Sequence, residues 1–103
     1  MNIEQKALAL KIIAAVERVT GVRIDRMRST DHRLITTNAR EIVCHMCREE
    51  GLRVKYISEL IGRKRDTASR YIRQYSEDCK YDPVLRELVN SVNARLEAEE
   101  GLL

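Results

Sequence analysis

The chain has 103 residues, of which 44% are apolar, and contains no Phe or Trp. This size predicts a single domain, residues 1–103, with one modest core of aliphatic side chains. No run approaches the roughly 18 to 20 consecutive apolar residues of a membrane-spanning helix, so we expect a soluble protein without a membrane partner. Because the three cysteines are an odd number and no secretory leader pattern opens the chain, we expect a reducing, cytoplasmic location.

The net charge of +3 is unevenly distributed along the sequence. Residues 1–22 carry +1, residues 23–81 carry +5 and residues 82–103 carry −3. Between residues 53 and 73 only two acids oppose seven cations, which are Arg53, Lys55, Arg63, Lys64, Arg65, Arg70 and Arg73. A local basic region on a nearly neutral protein favours directed binding to a polyanion.

The first half of the chain predicts two long helices separated by a loop. Asn2 and Gln5 are a capping pair for a first helix that ends at Gly21. The segment GVRIDRM predicts a single turn, and RSTDHRLITT predicts a polar loop. A central helix follows in TNAREIVCHMCREEG, capped by Thr36, Thr37 or Asn38 and ended by Gly51. Its predicted apolar face consists of Ala39, Ile42, Val43, Met46 and Cys47.

The second half predicts a short helix, a tight turn and two longer helices. Apolar spacing from Val54 to Ile61 gives the short helix, and Gly62 takes the position after it that tolerates positive φ. The next helix has an apolar side formed by Ala68, Tyr71, Ile72 and Tyr75. Its opposite stripe is formed by Asp66, Ser69, Arg70 and Arg73. The predicted fold is therefore all-α, a bundle of five to six helices.

The last helix begins with Asp82 as N-cap and Pro83 in the first helical position. Its apolar stripe runs from Leu85 to Leu96. Two interpretations stay open for this stripe, packing on the domain itself or a homodimer contact through the C-terminal helix.

A short helix, a turn containing Gly and a helix with an apolar back and a basic front form a helix-turn-helix layout, here at about 54–78. In this layout the N-terminus of the second helix enters the DNA major groove, where Arg and Lys donate to guanine O6 and N7. Three consecutive cations, Arg63, Lys64 and Arg65, lie at a helix N-terminus, where the helix dipole favours anions. A bound nucleic acid would supply that anion. An ordinary solvated turn is the alternative.

Three segments of the chain are similar to a known family: VTGVRIDRMRS, NAREIVCHMCREEG with Ala39-Arg40, and ISELIGRKRDTA. Over roughly residues 12 to 96, the chain resembles the C-terminal duplex-DNA-binding domain of the bacterial replication initiator DnaA. The third segment is similar to that family's IGxxFGGRDHTTV signature with one glycine fewer, and Ala68 replaces the core Val. The resemblance implies a Trp-repressor-like helical fold.

The resemblance also implies site residues. In the family an Arg-Asp-His-Thr-Thr run contacts bases and phosphates, which carries over to Arg63, Lys64, Arg65, Asp66 and Thr67. Lys64, Arg65 and Asp66 depart from the family residues, and we expect these three to read the bases. The family's basic minor-groove loop corresponds to His32 and Arg33. The basic region adds Lys55, Ser69, Arg70 and Arg73 to the predicted DNA-binding set.

Other chemistry has little support in the sequence. Cys44 and Cys47 with His45 or His32 offer an incomplete zinc set, and a buried structural cysteine is the favoured alternative. No phosphate-loop spacing, paired carboxylates or nucleophile with an adjacent base occurs. We therefore expect no enzyme activity, nucleotide, cofactor or metal.

These patterns together predict a sequence-specific double-stranded DNA-binding protein with a regulatory or replication-accessory role. The alternative is a helical protein-interaction adaptor that keeps the fold without binding DNA. Exposed cations at residues 63–73 favour the first function, and cations paired with acids favour the second.

Overall fold

The computed structural model describes residues 1–101, which form six helices and no strand. The helices are α1 (Ile3–Thr20), α2 (Ile24–Met27), α3 (Leu34–Glu49), α4 (Val54–Ile61), α5 (Arg65–Tyr81) and α6 (Pro83–Gly101). The prediction of an all-α fold is confirmed. The last two residues of the predicted 1–103 domain lie outside the described part of the chain.

Helix α3 lies at the centre of the bundle. Helices α1, α2, α4 and α5 pack on it, and α6 packs on α1 and α5. Between Asn38 and Cys47, His45 is the one residue that is not buried. The prediction of a single apolar face for this helix was therefore too narrow, because neighbours surround it and also bury Arg40 and Glu41.

Several predicted helix ends are confirmed. The Asn2 side chain accepts from the Gln5 amide at 2.8 Å, and the Gln5 side chain returns a bond to Asn2. Asp82 Oδ1 accepts from the amide of Val84 at 3.0 Å, and Pro83 opens α6. Both helices thus begin with a side chain that satisfies first-turn N–H groups.

The predicted start of α3 was wrong. The helix begins at Leu34 rather than after Thr36, Thr37 or Asn38, and its N-cap is Arg33. The Thr36 hydroxyl lies inside the helix and donates to the Asp31 carboxylate at 2.7 Å. This contact joins the threonine side chain to the preceding loop instead of to the helix N-terminus. The loop is shorter than predicted and covers residues 28–33.

The apolar stripe of α6 packs on the domain itself. Leu85, Val89 and Val92 are buried in the common core. A homodimer through the C-terminal helix would need another face of α6 and stays a prediction. Within residues 1–101, no helix combines the length and apolar content needed to cross a bilayer.

Candidate nucleic-acid interface

The predicted basic turn joins α4 to α5 through residues 62–64. Gly62 has φ of 63°, as expected for a helix C-terminus, and the Arg63 amide donates to Ser58 O at 3.0 Å. This bond closes the end of α4, so the chain reverses within three residues. The second helix of the pair continues to Tyr81, beyond the expected end near residue 78.

The back of this pair is buried and its front is polar. Ile57, Ile61 and Ala68 are fully buried, and Tyr71 is 8% exposed. Thr67 and Ser69 are half-buried beside them. On this helix pair and its turn, the exposed members of the predicted set are Lys55, Lys64, Arg65, Asp66, Arg70 and Arg73. The expected amphipathic division of α5 is therefore confirmed.

The exposed cations of α5 have no acidic partner. Ion pairs in the described chain join Arg26 and Arg33 to Asp31, and Arg95 to Glu99. His45 Nε2 lies 2.9 Å from Glu49 Oε1, and burial lowers the pKa of this imidazole. None of these pairs involves Lys64, Arg65, Arg70 or Arg73; the Arg70 guanidinium lies 5.8 Å from the Tyr71 ring centroid. Their charge is available to an external anion.

The N-termini of four helices share an unusual feature. The N-caps of α2, α3, α4 and α5 are Arg23, Arg33, Arg53 and Lys64, and none makes a side-chain capping bond. By contrast, α1 and α6 begin with the capping residues Asn2 and Asp82. The positive end of the α5 dipole therefore adds to the cations beside it, which favours phosphate over any side chain of the protein.

Arg63 differs from its neighbours because its guanidinium turns back onto the protein. It donates to the carbonyl oxygens of Gly62 at 3.1 Å and Arg28 at 3.5 Å, and also to Ser29 O. The side chain is half-buried. In this conformation it fixes the turn against the end of α2 rather than reaching outward.

Two further arginines complete this junction. Arg28 Nη1 donates to Glu59 O at 2.7 Å and Leu60 O at 3.2 Å, at the end of α4. A Cβ on Gly62 would lie 3.1 Å from Arg28 Cβ and 3.2 Å from its Cα. Glycine is needed here both for its positive φ and for this close approach.

Arg40 is fully buried under the same junction. Its Nε donates to Met27 O at 2.7 Å, and its Nη2 donates to Ser29 O at 3.0 Å and Arg26 O at 3.4 Å. Burial lowers the pKa of the guanidinium. The carbonyl groups at the end of α2 thus receive donors from the core side and, through Arg63, from the surface side.

The predicted minor-groove loop is only partly free. His32 is exposed. Arg33 is exposed but its Nε donates to both Asp31 oxygens at 3.1 Å. Hydrogen bonds from Arg33 and then Thr36 hold the pKa of Asp31 well below its usual range. This pairing stiffens the loop and reduces the charge that Arg33 presents.

The cysteines behave as core residues. Cys44 and Cys47 are fully buried, and burial raises the pKa of Cys47 to about 12 and also raises that of Cys44. Among residues 1–101, no three His, Cys, Asp or Glu side chains converge as a metal site. The His45 ring stacks on Tyr75 with centroids 3.4 Å apart. The expectation of a buried, structural cysteine pair is confirmed.

Sequence reasoning missed the parts played by Arg28, Arg40 and Glu41. Glu41 is 4% exposed, its Oε1 has no hydrogen-bond partner, and burial followed by the Asp78 carboxylate raises its pKa to about 8. One sequence feature could have indicated these buried charges: Arg40 and Glu41 are adjacent charged residues inside a segment whose apolar residues have helical spacing.

Comparisons with known proteins give no match for this chain. No protein-family model, curated protein or solved structure matches it at a significant level. The resemblance to the DnaA C-terminal domain therefore stays an expectation drawn from the sequence.

Proposed function

We propose that this chain binds double-stranded DNA sequence-specifically, with α4, the 62–64 turn and α5 acting as a helix-turn-helix of the Trp-repressor or DnaA C-terminal type. The observation that carries this proposal is the start of α5. Exposed cations without acidic partners surround a helix N-terminus that has no side-chain cap. Such a surface suits a phosphate backbone.

The side chains divide into base readers and phosphate contacts by their position along α5. Lys64 and Arg65 lie at the helix start, where side chains reach base edges in the major groove. Asp66 can accept from cytosine N4 in the same turn. Arg73 lies two turns further along, where a helix leaving the groove meets phosphates. Lys55 extends the phosphate contacts onto α4.

Arg63 has a different role in this proposal. Its donors are directed to carbonyl oxygens of the protein, so it orients the turn and the first residues of α5. We assign it as a positioning residue. The resemblance implied that Arg63 contacts DNA. In this proposal Lys64 and Arg65 contact the bases instead.

A regulatory or replication-accessory role in the cytoplasm belongs to the same proposal. The exposure of the α5 cations supports DNA binding over the adaptor function, because cations paired with acids would have favoured the adaptor.

Salt dependence of duplex binding tests the proposal. The exposed cations are Lys55, Lys64, Arg65, Arg70 and Arg73, and neutralising about five phosphates gives a slope of log K against log salt of roughly −4 to −5. Fluorescence anisotropy with a labelled duplex between low and physiological salt measures it.

The double variant Lys64→Gln/Arg65→Gln should bind more weakly and reduce the slope by roughly two. Arg18→Gln, an exposed change at the end of α1, is the matched control and should leave the slope unchanged. A nearly flat slope in the unmodified protein, with no effect of the double variant, would favour the adaptor function.

A further inference from the structure

The far end of α5 borders an acidic cleft of about 340 Å³ between α3, α5 and the start of α6. Its polar lining includes four carboxyl groups, those of Glu41, Glu77, Asp78 and Asp82. Its apolar lining is formed by Leu34, Tyr81 and Leu85. The volume lies within the range of sites that enclose a side chain or a small ligand.

Glu41 makes this cleft more than a group of surface acids. Its side chain is almost completely buried and lines the cleft, and Oε1 has no donor. The Glu41 carboxyl group faces the Asp78 carboxyl group, so two acids lie together with no cation between them. Buried polar oxygens are normally hydrogen-bonded, so Oε1 can accept a donor from outside the chain. Neither Arg86 nor Lys80 supplies one: the Arg86 guanidinium donates to Cys79 O and Lys80 O, and the Lys80 ammonium lies 5.3 Å from the Tyr81 ring centroid.

The rim of the cleft is apolar and exposed. Leu34, which lines the cleft, is 68% exposed, and Tyr81, which also lines it, is 69% exposed. Large apolar side chains around a charged cleft are typical of protein contact surfaces, where an aromatic residue packs beside a buried polar anchor.

We propose that this cleft binds an arginine side chain of a protein partner, with Glu41 and Asp78 as its acceptors and the Leu34 and Tyr81 rim packing on the residues beside it. Charge complementarity selects a cation. The planar guanidinium offers the two parallel donors that carboxylates accept. A metal ion fits less well, because the described carboxylates do not converge as a ligand set.

The cleft and the proposed DNA surface are separate. Arg65 and Tyr81 are at opposite ends of α5, which at 1.5 Å per residue places them roughly 24 Å apart. The chain can therefore hold DNA and a protein partner at the same time, and either function can fail without the other.

Binding of a cation here should release a proton. Burial and the Asp78 and Asp82 carboxylates raise the pKa of Glu41 to about 8, so its carboxyl group is mostly protonated at neutral pH. The other titratable groups that interact with Glu41 are neutral there, because burial raises the pKa of each, namely Cys44, Tyr75 and Cys79. A guanidinium stabilises the ionised form and displaces the proton.

Titration with ethylguanidinium, followed by amide NMR shifts, tests the site. We expect saturable shifts at residues around Glu41 and Asp78, and an affinity that rises about tenfold or more between pH 6.5 and pH 9. The neutral analogue ethylurea should produce no saturable shift. Ethylammonium, a lysine analogue, should bind more weakly because it lacks the paired donors.

The variants Glu41→Gln and Asp78→Asn should each lose ethylguanidinium binding, and having both keeps the test valid if one fails to fold. Glu87→Gln, an exposed change on α6, is the control and should bind normally. Equal responses to ethylurea, displacement of ethylguanidinium by equimolar Mg²⁺, or binding that survives both acidic-site variants would overturn the proposal.

Discussion

Replacing Arg40 with Met should destabilise the protein more than any other single change to an arginine. The substitution keeps an unbranched side chain but removes the donors to Met27 O and Ser29 O. Hydrogen bonds from a charged donor are worth about 1.5 to 3 kcal/mol each. Met27 O would lose its side-chain donor, whereas Ser29 O would keep the donor from Arg63. Burying Met instead of a guanidinium recovers part of the desolvation cost. The expected net loss is about 2 to 5 kcal/mol.

Urea denaturation followed by circular dichroism measures this loss, and the melting temperature should fall by roughly 10 °C or more. Arg40→Lys should show an intermediate loss, because one ammonium group cannot reproduce the fork that reaches several carbonyl oxygens. Arg18→Met is the control, since Arg18 is exposed, and should change stability by no more than about 0.5 kcal/mol. An Arg40→Met variant as stable as the unmodified protein would refute the role given to this junction.

Two further predictions concern the glycine of the turn and the buried acid. Gly62→Ala should lower the free energy of unfolding more than Gly21→Ala does. Both glycines have positive φ, but only a Cβ on Gly62 would meet Arg28. Chemical denaturation measures both losses, and equal losses would contradict this prediction. The folded-state pKa of Glu41 is raised to about 8, so stability should fall by at most about 5 kcal/mol as pH rises from 4.5 to 8 and then level off. Glu41→Gln should remove this part of the pH profile, and an unchanged profile would contradict the assignment.

The helix ends of this chain could be predicted where one residue supplies the capping chemistry. Asn2, Asp82 and Gly62 act locally, so their positions in the sequence are enough to mark a boundary. The start of α3 could not be predicted in this way. Thr36 is an acceptable cap in sequence, but its hydroxyl bonds to Asp31, and that choice depends on the loop conformation.

The site shows the same division between local and tertiary information. The exposure of Lys64, Arg65, Arg70 and Arg73 follows from helical spacing alone. The inward turn of Arg63 depends on where α2 ends in space, and no periodicity reports that. Glu41 is a still clearer case, because its burial results from α5 and α6 covering a face of α3 that its sequence marks as polar.

The most direct test of the central claim compares Arg65→Ala and Arg73→Ala on a duplex selected from a random pool and on its single-base variants. Arg65 is in the first turn of α5, where a bidentate contact to guanine gives about 1 to 3 kcal/mol of discrimination. Arg65→Ala should therefore flatten the preference at one base position. Arg73→Ala should weaken all duplexes about equally and reduce the salt slope by roughly one. If Arg73→Ala alters base preference while Arg65→Ala weakens every duplex uniformly, α5 does not enter the groove by its N-terminus and the account is wrong.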